Sequence, residues 1–169
     1  MKKILVTGCA GFIGYHLVAS LLEKKNIKVF GIDNINDYYD VSIKKSRLQI
    51  LKKKNNFSFF KIDISNKEKL KKNIIQYKYD YVVHLAAQAG VRFSITNPDQ
   101  YFDSNIKGFY NLLESLKLIN VKHFIFASTS SVYGDTKKFP LKENSNTDNP
   151  VSFYAASKKI NEVMAYPYS

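Results

Sequence analysis

Short runs of apolar residues alternate along the chain with longer segments in which apolar residues recur every three or four positions. The short runs are nearly continuous and rich in β-branched and aromatic residues, as is typical of strands covered on both faces of a parallel sheet. They predict five strands, at 3–7, 28–32, 57–62, 80–86 and 122–128.

The longer segments predict helices between the strands. The clearest begins at Asn97-Pro98, where an N-cap residue precedes a proline at the first helical position. Its apolar face consists of Phe102, Ile106, Phe109, Leu113 and Leu116. Further helices are predicted after the first strand and over 150–165, with weaker patterns at 41–54 and 66–77. Strands that alternate with helices predict right-handed βαβ crossovers, and hence an α/β fold with a doubly wound parallel sheet and helices on both faces.

Length and composition are typical of a single globular domain. The chain has 169 residues, no apolar run as long as a membrane span and no signal-peptide pattern at its start. Cys9 is its only cysteine, which excludes an internal disulfide and a cysteine-based metal site, and the histidines show no metal-binding spacing. These features predict a cytoplasmic protein without a membrane partner or a metal.

The net charge of +12 suggests nucleic acid as a binding partner, because basic surfaces attract phosphate backbones. The basic residues are almost all lysines, and only Arg47 and Arg92 are available for bidentate recognition. Instead of forming one block, the lysines are spread over 23–28, 44–54, 67–78 and 137–142. We interpret them as solvated surface residues and expect no nucleic-acid partner.

The first strand is followed by a glycine-rich turn and then by a helix. Gly8, Gly11 and Gly14 have the spacing Gly-x-x-Gly-x-x-Gly within KILVTGCAGFIGYHL. Glycines in this context let the backbone turn tightly and approach a pyrophosphate, which then lies at the positive N-terminus of the helix. The pattern favours a dinucleotide site, while the alternative that the glycines serve only close helix–strand packing stays open.

Polar and small residues follow the next strands. Asp33 ends the second strand, 19 residues after Gly14, where a carboxylate accepts hydrogen bonds from the adenosine ribose. Because a carboxylate repels a 2′-phosphate and no arginine is expected nearby, the pattern favours NAD over NADP. Asp63 is placed either to reach the adenine or to form an ordinary turn. Leu85-Ala86-Ala87 ends the fourth strand with the small residues that a chain passing beside a cofactor needs.

Tyr154 and Lys158 lie at i and i+4 on the predicted helix over 150–165 and therefore share one face. A free phenol has a pKa of about 10, which a neighbouring ammonium lowers by favouring the phenolate. With a hydroxyl from the Ser-Thr-Ser-Ser run at 128–131, such a tyrosine is suited to remove an alcohol proton while NAD takes the hydride. A Tyr-Lys pair at i and i+4 is by itself common on surface helices, so the spacing alone does not indicate catalysis.

Together, TGCAGFIG, Asp33, HLAA, STSSVYG and YAASK resemble the motifs of the extended short-chain dehydrogenase/reductase family of NAD-dependent nucleotide-sugar epimerases and dehydratases. DNINDYYDVSIKKSRL, HLAAQAGVRFS and YAASKKINEVMA are most similar to its UDP-glucuronate 4-epimerase branch. The resemblance runs from residue 3 to the end of the chain. It implies a Rossmann-like fold, NAD as cofactor, and a UDP-sugar as substrate in polysaccharide biosynthesis.

The resemblance also implies roles for individual residues. Tyr154 is the expected base, Lys158 stabilises its phenolate and binds ribose, and Thr129 supplies the third catalytic hydroxyl. The implied cofactor ligands are Gly8, Gly11, Phe12, Ile13, Gly14, Asp33, Asn34, Asp63, Ile64, Leu85, Ala86, Ala87, Ser128, Tyr154 and Lys158. The implied substrate ligands are Gln88, Arg92, Asn105, Thr129, Ser130 and Ser131.

Two positions after Thr129 separate two chemistries within the family. The 4,6-dehydratases carry Asp-Glu there, because loss of water across C5–C6 needs an acid and a base. Ser130 and Ser131 replace them in this chain, so we expect epimerisation at C4 through a 4-keto sugar. Ser130 and Ser131 are either substrate contacts or turn formers. Arg92 either clamps a carboxylate or diphosphate, or lies on an ordinary surface.

Members of the family are roughly twice this long, with a C-terminal part that grips the nucleotide. We therefore interpret residues 1–169 as one incomplete NAD-binding domain without its substrate domain, and Pro167 as a break in the last helix. Two hypotheses remain: part of a UDP-glucuronate 4-epimerase or a related epimerase or decarboxylase, and an inactive dinucleotide-binding module. Family members commonly form homodimers through the Tyr-Lys helix and the long helix before the fifth strand.

Overall fold

Five parallel strands form one sheet in the order β3-β2-β1-β4-β5 in the computed structural model, which describes residues 1–169. Every neighbouring pair of strands is parallel. The strands are β1 Lys2–Thr7, β2 Ile27–Asp33, β3 Phe57–Lys61, β4 Tyr81–His84 and β5 His123–Phe126. The predicted doubly wound sheet is confirmed.

Helices connect the strands, as the apolar periodicity predicts. They are α1 Phe12–Leu22, α2 Val41–Leu51, α3 Lys67–Tyr77, α4 Phe93–Thr96, α5 Pro98–Tyr101, α6 Gly108–Leu116 and α7 Phe153–Ala165. A π-helical turn, Phe102–Lys107, joins α5 to α6, so the predicted long helix is continuous but not uniformly α-helical. Short 3₁₀ helices lie at Ser130–Tyr133 and Tyr166–Tyr168.

β4 and β5 each end two residues earlier than their apolar runs predict. β4 ends at His84, and the backbone N–H groups of Leu85 and Ala86 bond to the Thr7 hydroxyl at 3.2 and 3.1 Å. β5 ends at Phe126 and pairs only with β4, and Ile125 is half exposed at this edge of the sheet. A continuous apolar run is therefore not sufficient to show that a strand is covered on both faces.

Side chains on successive positions of β1 point to opposite faces of the sheet, and each face has its own core. Ile4 and Val6 belong to one core, which includes Val18 of α1 and Leu48 of α2. Leu5 belongs to the other core, which is built by α3 and α6. Helices thus cover both faces, which leaves the two ends of the strands as the surfaces available for binding. None of the helices has the length and apolar character needed to cross a membrane.

The core below α6 provides a test of this packing. Leu112 is fully buried, whereas Leu118, after the same helix, is 53% exposed. We expect Leu112→Ala to lower the free energy of unfolding by about 2–5 kcal/mol, because it removes buried methyl groups and leaves a cavity. Leu118→Ala, the control, should change it by less than about 0.5 kcal/mol. Urea denaturation measures both, and equal effects would contradict this assignment of the core.

Candidate active site

A cleft of about 590 Å³ lies at the carboxyl ends of the strands. It contains residues from the β1–α1 turn, the end of β2, the segment after β4 and helix α7. Fourteen of the predicted cofactor ligands line it, namely Gly8, Gly11, Phe12, Ile13, Gly14, Asp33, Asn34, Ile64, Leu85, Ala86, Ala87, Ser128, Tyr154 and Lys158. Asp63 lines an adjoining polar cleft and accepts a hydrogen bond from Asn34 Nδ2 at 2.9 Å.

The glycine turn is packed tightly against neighbouring backbone. Gly8 has a φ of +71°, and a Cβ there would lie 2.7 Å from the Ala86 nitrogen. A Cβ on Gly14 would overlap the Gly8 carbonyl oxygen. Close packing therefore requires these two glycines, and it also brings the start of α1 to the floor of the cleft. Phe12 and Ile13 remain about two thirds exposed at its mouth.

Asp33 is held rigidly beside this turn. Its Oδ2 accepts a hydrogen bond from the Ala10 N–H at 3.0 Å, and its Oδ1 accepts one from the Ile35 N–H at 2.9 Å. The residue is 8% exposed, and it lines the cleft next to Asn34. A carboxylate fixed in this way is positioned to accept hydrogen bonds from a diol in the cleft.

Lys44 and Arg47 of α2 also line the cleft, and the sequence analysis missed both. Arg47 Nη1 donates to the Ala10 carbonyl at 3.1 Å and to the Tyr39 hydroxyl at 3.2 Å. Since Ala10 also bonds to Asp33, the expectation that no arginine lies near this carboxylate is wrong. The spacing of Lys44 and Arg47 on a helix directly after β2 is the signal that could have located them.

The Lys44 ammonium is buried between polar and aromatic groups. It donates to the Asn36 carbonyl at 2.8 Å, also contacts the Asn36 side chain, and lies 4.4 Å from the centre of the Tyr39 ring. Burial lowers the pKa of Lys44, and the carboxylates of Asp33 and Asp37 oppose this shift. The wall of the cleft at the end of β2 thus combines the Asp33 carboxylate with two cationic side chains, Lys44 and Arg47.

Tyr154 and Lys158 of α7 line the opposite wall. Lys158 is 3% exposed. Burial lowers the pKa of Lys158 to about 8, and the Glu162 carboxylate opposes that shift. The lysine therefore stays mainly charged at neutral pH. The structure places the Tyr-Lys pair in the same cleft as the glycine turn, about 150 residues away in the sequence.

A neutral histidine supports the floor of the cleft. Thr7 Oγ1 accepts hydrogen bonds from two N–H groups, so its proton is available for His84 Nδ1, 2.7 Å away. Burial, with the Lys158 charge as a smaller cause, lowers the pKa of His84 to about 3. His84 is thus uncharged at neutral pH and adds no second cation beside Lys158.

The hydroxyl run after β5 divides into two parts. Ser128 lines the cleft. Thr129 instead caps the following 3₁₀ helix, because its Oγ1 accepts a hydrogen bond from the Ser131 N–H at 3.2 Å. Thr129, Ser130 and Ser131 do not line the cleft, so their predicted contacts with a substrate stay predictions. The turn-forming role that was left open for this segment is present in the structure.

Glu162 links this run to α7 and was also missed. Ser128 Oγ donates to Glu162 Oε1 at 2.5 Å. Lys159 lies 3.4 Å from the other carboxylate oxygen and bonds to Thr147 at 2.5 Å. Glu162 therefore ties the carboxyl end of β5 to the helix that carries Tyr154 and Lys158. Because Ser128 and Glu162 are 34 residues apart, no local pattern signals the contact.

Asn105 was predicted to face the active site, but it is 1% exposed and does not line the cleft. Its Oδ1 accepts from the Gln88 N–H at 2.7 Å, and its Nδ2 donates to the Gln88 carbonyl and to Ser157 Oγ, both at 3.0 Å. These bonds use the whole amide, so Asn105 positions Gln88. Gln88 itself lines the cleft, and its buried Nε2 has no hydrogen-bond partner.

Arg92 is exposed and precedes helix α4, outside the main cleft. It makes no side-chain hydrogen bond or ion pair with the rest of the chain. Both of its predicted roles, as an anion clamp and as an ordinary surface residue, therefore stay predictions.

Comparison with known proteins agrees with this geometry. A family model described as GDP-mannose 4,6 dehydratase matches residues 5–169. Protein CapI of Staphylococcus aureus is 50% identical over 99% of this chain and 49% of its own length. A UDP-glucuronate 4-epimerase of Thermodesulfobacterium geofontis is 49% identical over 99% of this chain and 51% of its own length.

Solved structures of two 4-epimerases have a fold similar to that of this chain. The Bacillus cereus UDP-glucuronic acid 4-epimerase in complex with UDP-glucuronic acid and NAD has a TM-score of 0.90 at 38% identity, covering 98% of this chain and 52% of its own. The UDP-Glc/GlcNAc 4-epimerase of Campylobacter jejuni has a TM-score of 0.91 at 30% identity. This match covers 100% of this chain and 49% of the C. jejuni chain. This chain spans about half the length of the relatives that it matches.

The role of Asn105 can be tested by its effect on stability. Asn105→Ala leaves the buried N–H and carbonyl of Gln88 without partners, and we expect the free energy of unfolding to fall by about 1–3 kcal/mol. Asn55→Ala, on an exposed turn, is the matched control and should have little effect. Urea denaturation measures both. An unchanged stability for Asn105→Ala would show that its hydrogen bonds are not structural.

The electrostatic role of Glu162 can be tested by titration. Glu162→Gln keeps an oxygen acceptor for Ser128 but removes the negative charge that favours the Lys158 ammonium, so the pKa of Lys158 should fall below its value of about 8. NMR of ¹³C-labelled lysine, assigned with Lys158→Arg, follows this titration. Ser128→Ala retains the charge and should leave the midpoint nearly unchanged. An unaltered midpoint in Glu162→Gln would refute the coupling.

Proposed function

Because the chain belongs to the family described as GDP-mannose 4,6 dehydratase, we propose that it is the NAD-binding part of a UDP-sugar 4-epimerase, with UDP-glucuronate as substrate. The observation that carries this proposal is the single cleft that brings Gly8, Asp33, Tyr154 and Lys158 together. The similarity to the T. geofontis and B. cereus enzymes, which are UDP-glucuronate 4-epimerases, supports this choice of sugar. The product would be UDP-galacturonate, a precursor suited to polysaccharide biosynthesis.

The residues of the cleft fit NAD. Gly8 and Gly14 let the β1–α1 turn pack closely, which brings the start of α1 to the cleft, where free N–H groups would stabilise a pyrophosphate. Asp33 is available for the ribose hydroxyls, and the Asn34–Asp63 pair lies where the adenine would be bound. The buried Gln88 Nε2 lacks an acceptor within the protein, which a ligand oxygen in the cleft would supply.

Within this proposal, each catalytic residue has a defined task. NAD, when bound, supplies the hydride acceptor at C4 and returns the hydride. The Lys158 ammonium stabilises Tyr154 as a phenolate, and this phenolate removes the proton from the C4 hydroxyl and becomes a neutral phenol. Thr129 is proposed to assist Tyr154 as the third hydroxyl. Rotation of the 4-keto sugar before the hydride returns would invert the configuration at C4.

The residues after Thr129 support epimerisation over dehydration. Elimination of water across C5–C6 requires an acid and a base, and Ser130 and Ser131 ionise far above neutral pH. We therefore propose that the reaction stops at C4, although the family model is described as a dehydratase. Contacts of Ser130, Ser131, Arg92 and Gln88 with the sugar belong to this proposal.

Three further features of the protein are proposed on the same basis. Residues 1–169 form the NAD-binding domain, and the nucleotide of the UDP-sugar is bound outside them. Homodimerisation through α6 and α7 is supported by the exposed apolar residues Tyr110 and Val163 on these helices. A cytoplasmic location is consistent with the single, buried cysteine, Cys9.

Calorimetric titration with NAD and NADP tests the cofactor assignment. We expect this chain to bind NAD more tightly than NADP. Asp33→Asn should weaken NAD binding by about tenfold, because a charged hydrogen bond to the ribose is lost. The same change should reduce discrimination against NADP, since Lys44 and Arg47 remain. Asp135→Asn, an exposed change, is the control. Equal affinity of wild type and Asp33→Asn for NAD would contradict the ribose role.

Turnover is tested by incubating the protein with UDP-glucuronate and NAD and following the anomeric protons by NMR. Appearance of UDP-galacturonate supports the epimerase. NAD binding without product supports the alternative, an inactive dinucleotide-binding module. In a protein that turns over, Tyr154→Phe should lower kcat by about 10²–10⁴-fold, as expected for loss of a general base. Full activity in Tyr154→Phe would exclude the mechanism.

A further inference from the structure

The lysines that are spread along the sequence converge in space at the end of the sheet opposite the cleft. All five strands are parallel, so their amino ends lie along one edge. Each strand begins with lysines or follows a connection that contains them. We name this surface the basic face, and it consists of Lys2, Lys3, Lys24, Lys25, Lys28, Lys52, Lys53, Lys54, Lys78 and Lys122.

Contacts between the connections show that they form one continuous surface. Lys54 of the α2–β3 connection pairs with Glu23 of the α1–β2 connection at 2.9 Å. Lys122, before β5, pairs with Asp80, before β4, at 3.2 Å. The Asp80 side chain also accepts a hydrogen bond from the Lys3 N–H at 2.9 Å. The Lys2 N–H, at the start of β1, donates to the Asn26 carbonyl, before β2, at 2.8 Å, so these contacts together link the starts of all five strands.

Most of the net charge of the protein is located on this face. Its ten lysines are accompanied by only two acidic residues, Glu23 and Asp80. The difference is eight positive charges, which is two thirds of the net +12 of the whole chain. Eight of the ten lysines are exposed, and Lys3 and Lys28 are half-buried. Of the exposed lysines, Lys54 pairs with Glu23 and Lys122 pairs with Asp80.

The chemistry of the face favours a planar anionic surface over nucleic acid. Lys2, Lys28 and Lys52 lie 5.7, 5.3 and 5.1 Å from the centres of the Tyr81, Phe30 and Phe59 rings. The lysine ammonium groups lie over these aromatic rings, so the rings are not free to stack on bases. The face contains no arginine for bidentate recognition of bases or phosphates.

We propose that the basic face docks the protein on membranes that contain anionic lipids, in place of the expectation from the sequence that it has no membrane partner. Lysines alone suffice for such binding, because lipid headgroups attract them without specific geometry. Five strands spaced about 4.8 Å apart give an edge roughly 20 Å wide, which a flat bilayer can contact at once. In this orientation the cleft, at the opposite end of the strands, faces away from the bilayer. The proposal does not depend on the reaction proposed above.

Sedimentation with vesicles tests the proposal. The protein is mixed with phosphatidylcholine vesicles that either contain or lack phosphatidylglycerol, at low and at high salt. We expect binding only to the anionic vesicles, and we expect high salt to release the protein because it screens the charges. Absence of binding to phosphatidylglycerol vesicles at low salt would overturn the proposal.

Two variants of equal charge separate the basic face from net charge. The first replaces Lys24, Lys25, Lys52, Lys53 and Lys78 by Gln. The second, the control, replaces the exposed Lys45, Lys69, Lys72, Lys137 and Lys138 by Gln. We expect the first to lose affinity for anionic vesicles by about tenfold or more and the control to lose much less. Thermal melting confirms that both remain folded, and equal losses would overturn the proposal.

Nucleic acid is the alternative partner for a basic surface, and a DNA-binding measurement distinguishes it from a membrane. Binding to a random duplex DNA is measured by fluorescence anisotropy at the same ionic strength as the vesicle assay. If the protein binds DNA more weakly than vesicles at the same concentration of accessible phosphate, the result supports a membrane as the partner. Stronger binding to DNA that is lost in the basic-face variant would overturn the proposal in favour of a nucleic-acid partner.

Discussion

The close contact between the carboxyl ends of β1 and β4 determines the rest of the candidate active site. The Thr7 hydroxyl accepts hydrogen bonds from the Leu85 and Ala86 N–H groups and is 2.7 Å from His84 Nδ1. At the next residue, the lack of a Cβ on Gly8 lets the turn approach Ala86. This contact fixes the glycine turn relative to the segment after β4. It also holds a neutral imidazole near Lys158, where a charged one would repel the ammonium.

A second set of polar contacts attaches α7 to this arrangement. Asn105, in the π-helical turn, bonds to Gln88 and Ser157, and Asn161 Nδ2 donates to the Asn105 carbonyl at 2.7 Å. A π-helical turn leaves backbone groups outside the regular α-helical pattern, so such a side-chain partner stabilises it. Helix α7 is therefore positioned by directional hydrogen bonds as well as by apolar packing. Ser128 and Glu162 add a link from its other side.

The sequence predicts those parts of the site that depend on local spacing, and it misses those that depend on tertiary contacts. Gly8, Asp33 and Tyr154 occupy the predicted cleft because each lies at a fixed distance from the end of a strand or the start of a helix. Asn105 was assigned to the substrate site by family resemblance, and that contact stays a prediction, because in the structure its amide bonds to Gln88 and Ser157 and does not line the cleft. Arg47 and Glu162 bond to residues 37 and 34 positions away, which no periodic pattern encodes.

The two ends of the sheet carry different charges, and their separation makes them electrostatically independent. β1 has six residues and so spans roughly 20 Å at about 3.3 Å per residue. The Debye length at physiological ionic strength is about 8 Å, so the lysines at the amino ends are largely screened from the cleft. Buried charges are screened much less, which is why Lys158 responds to Glu162, on its own helix. The charge state of Lys158 is therefore set by its immediate surroundings, even in a chain with a net charge of +12.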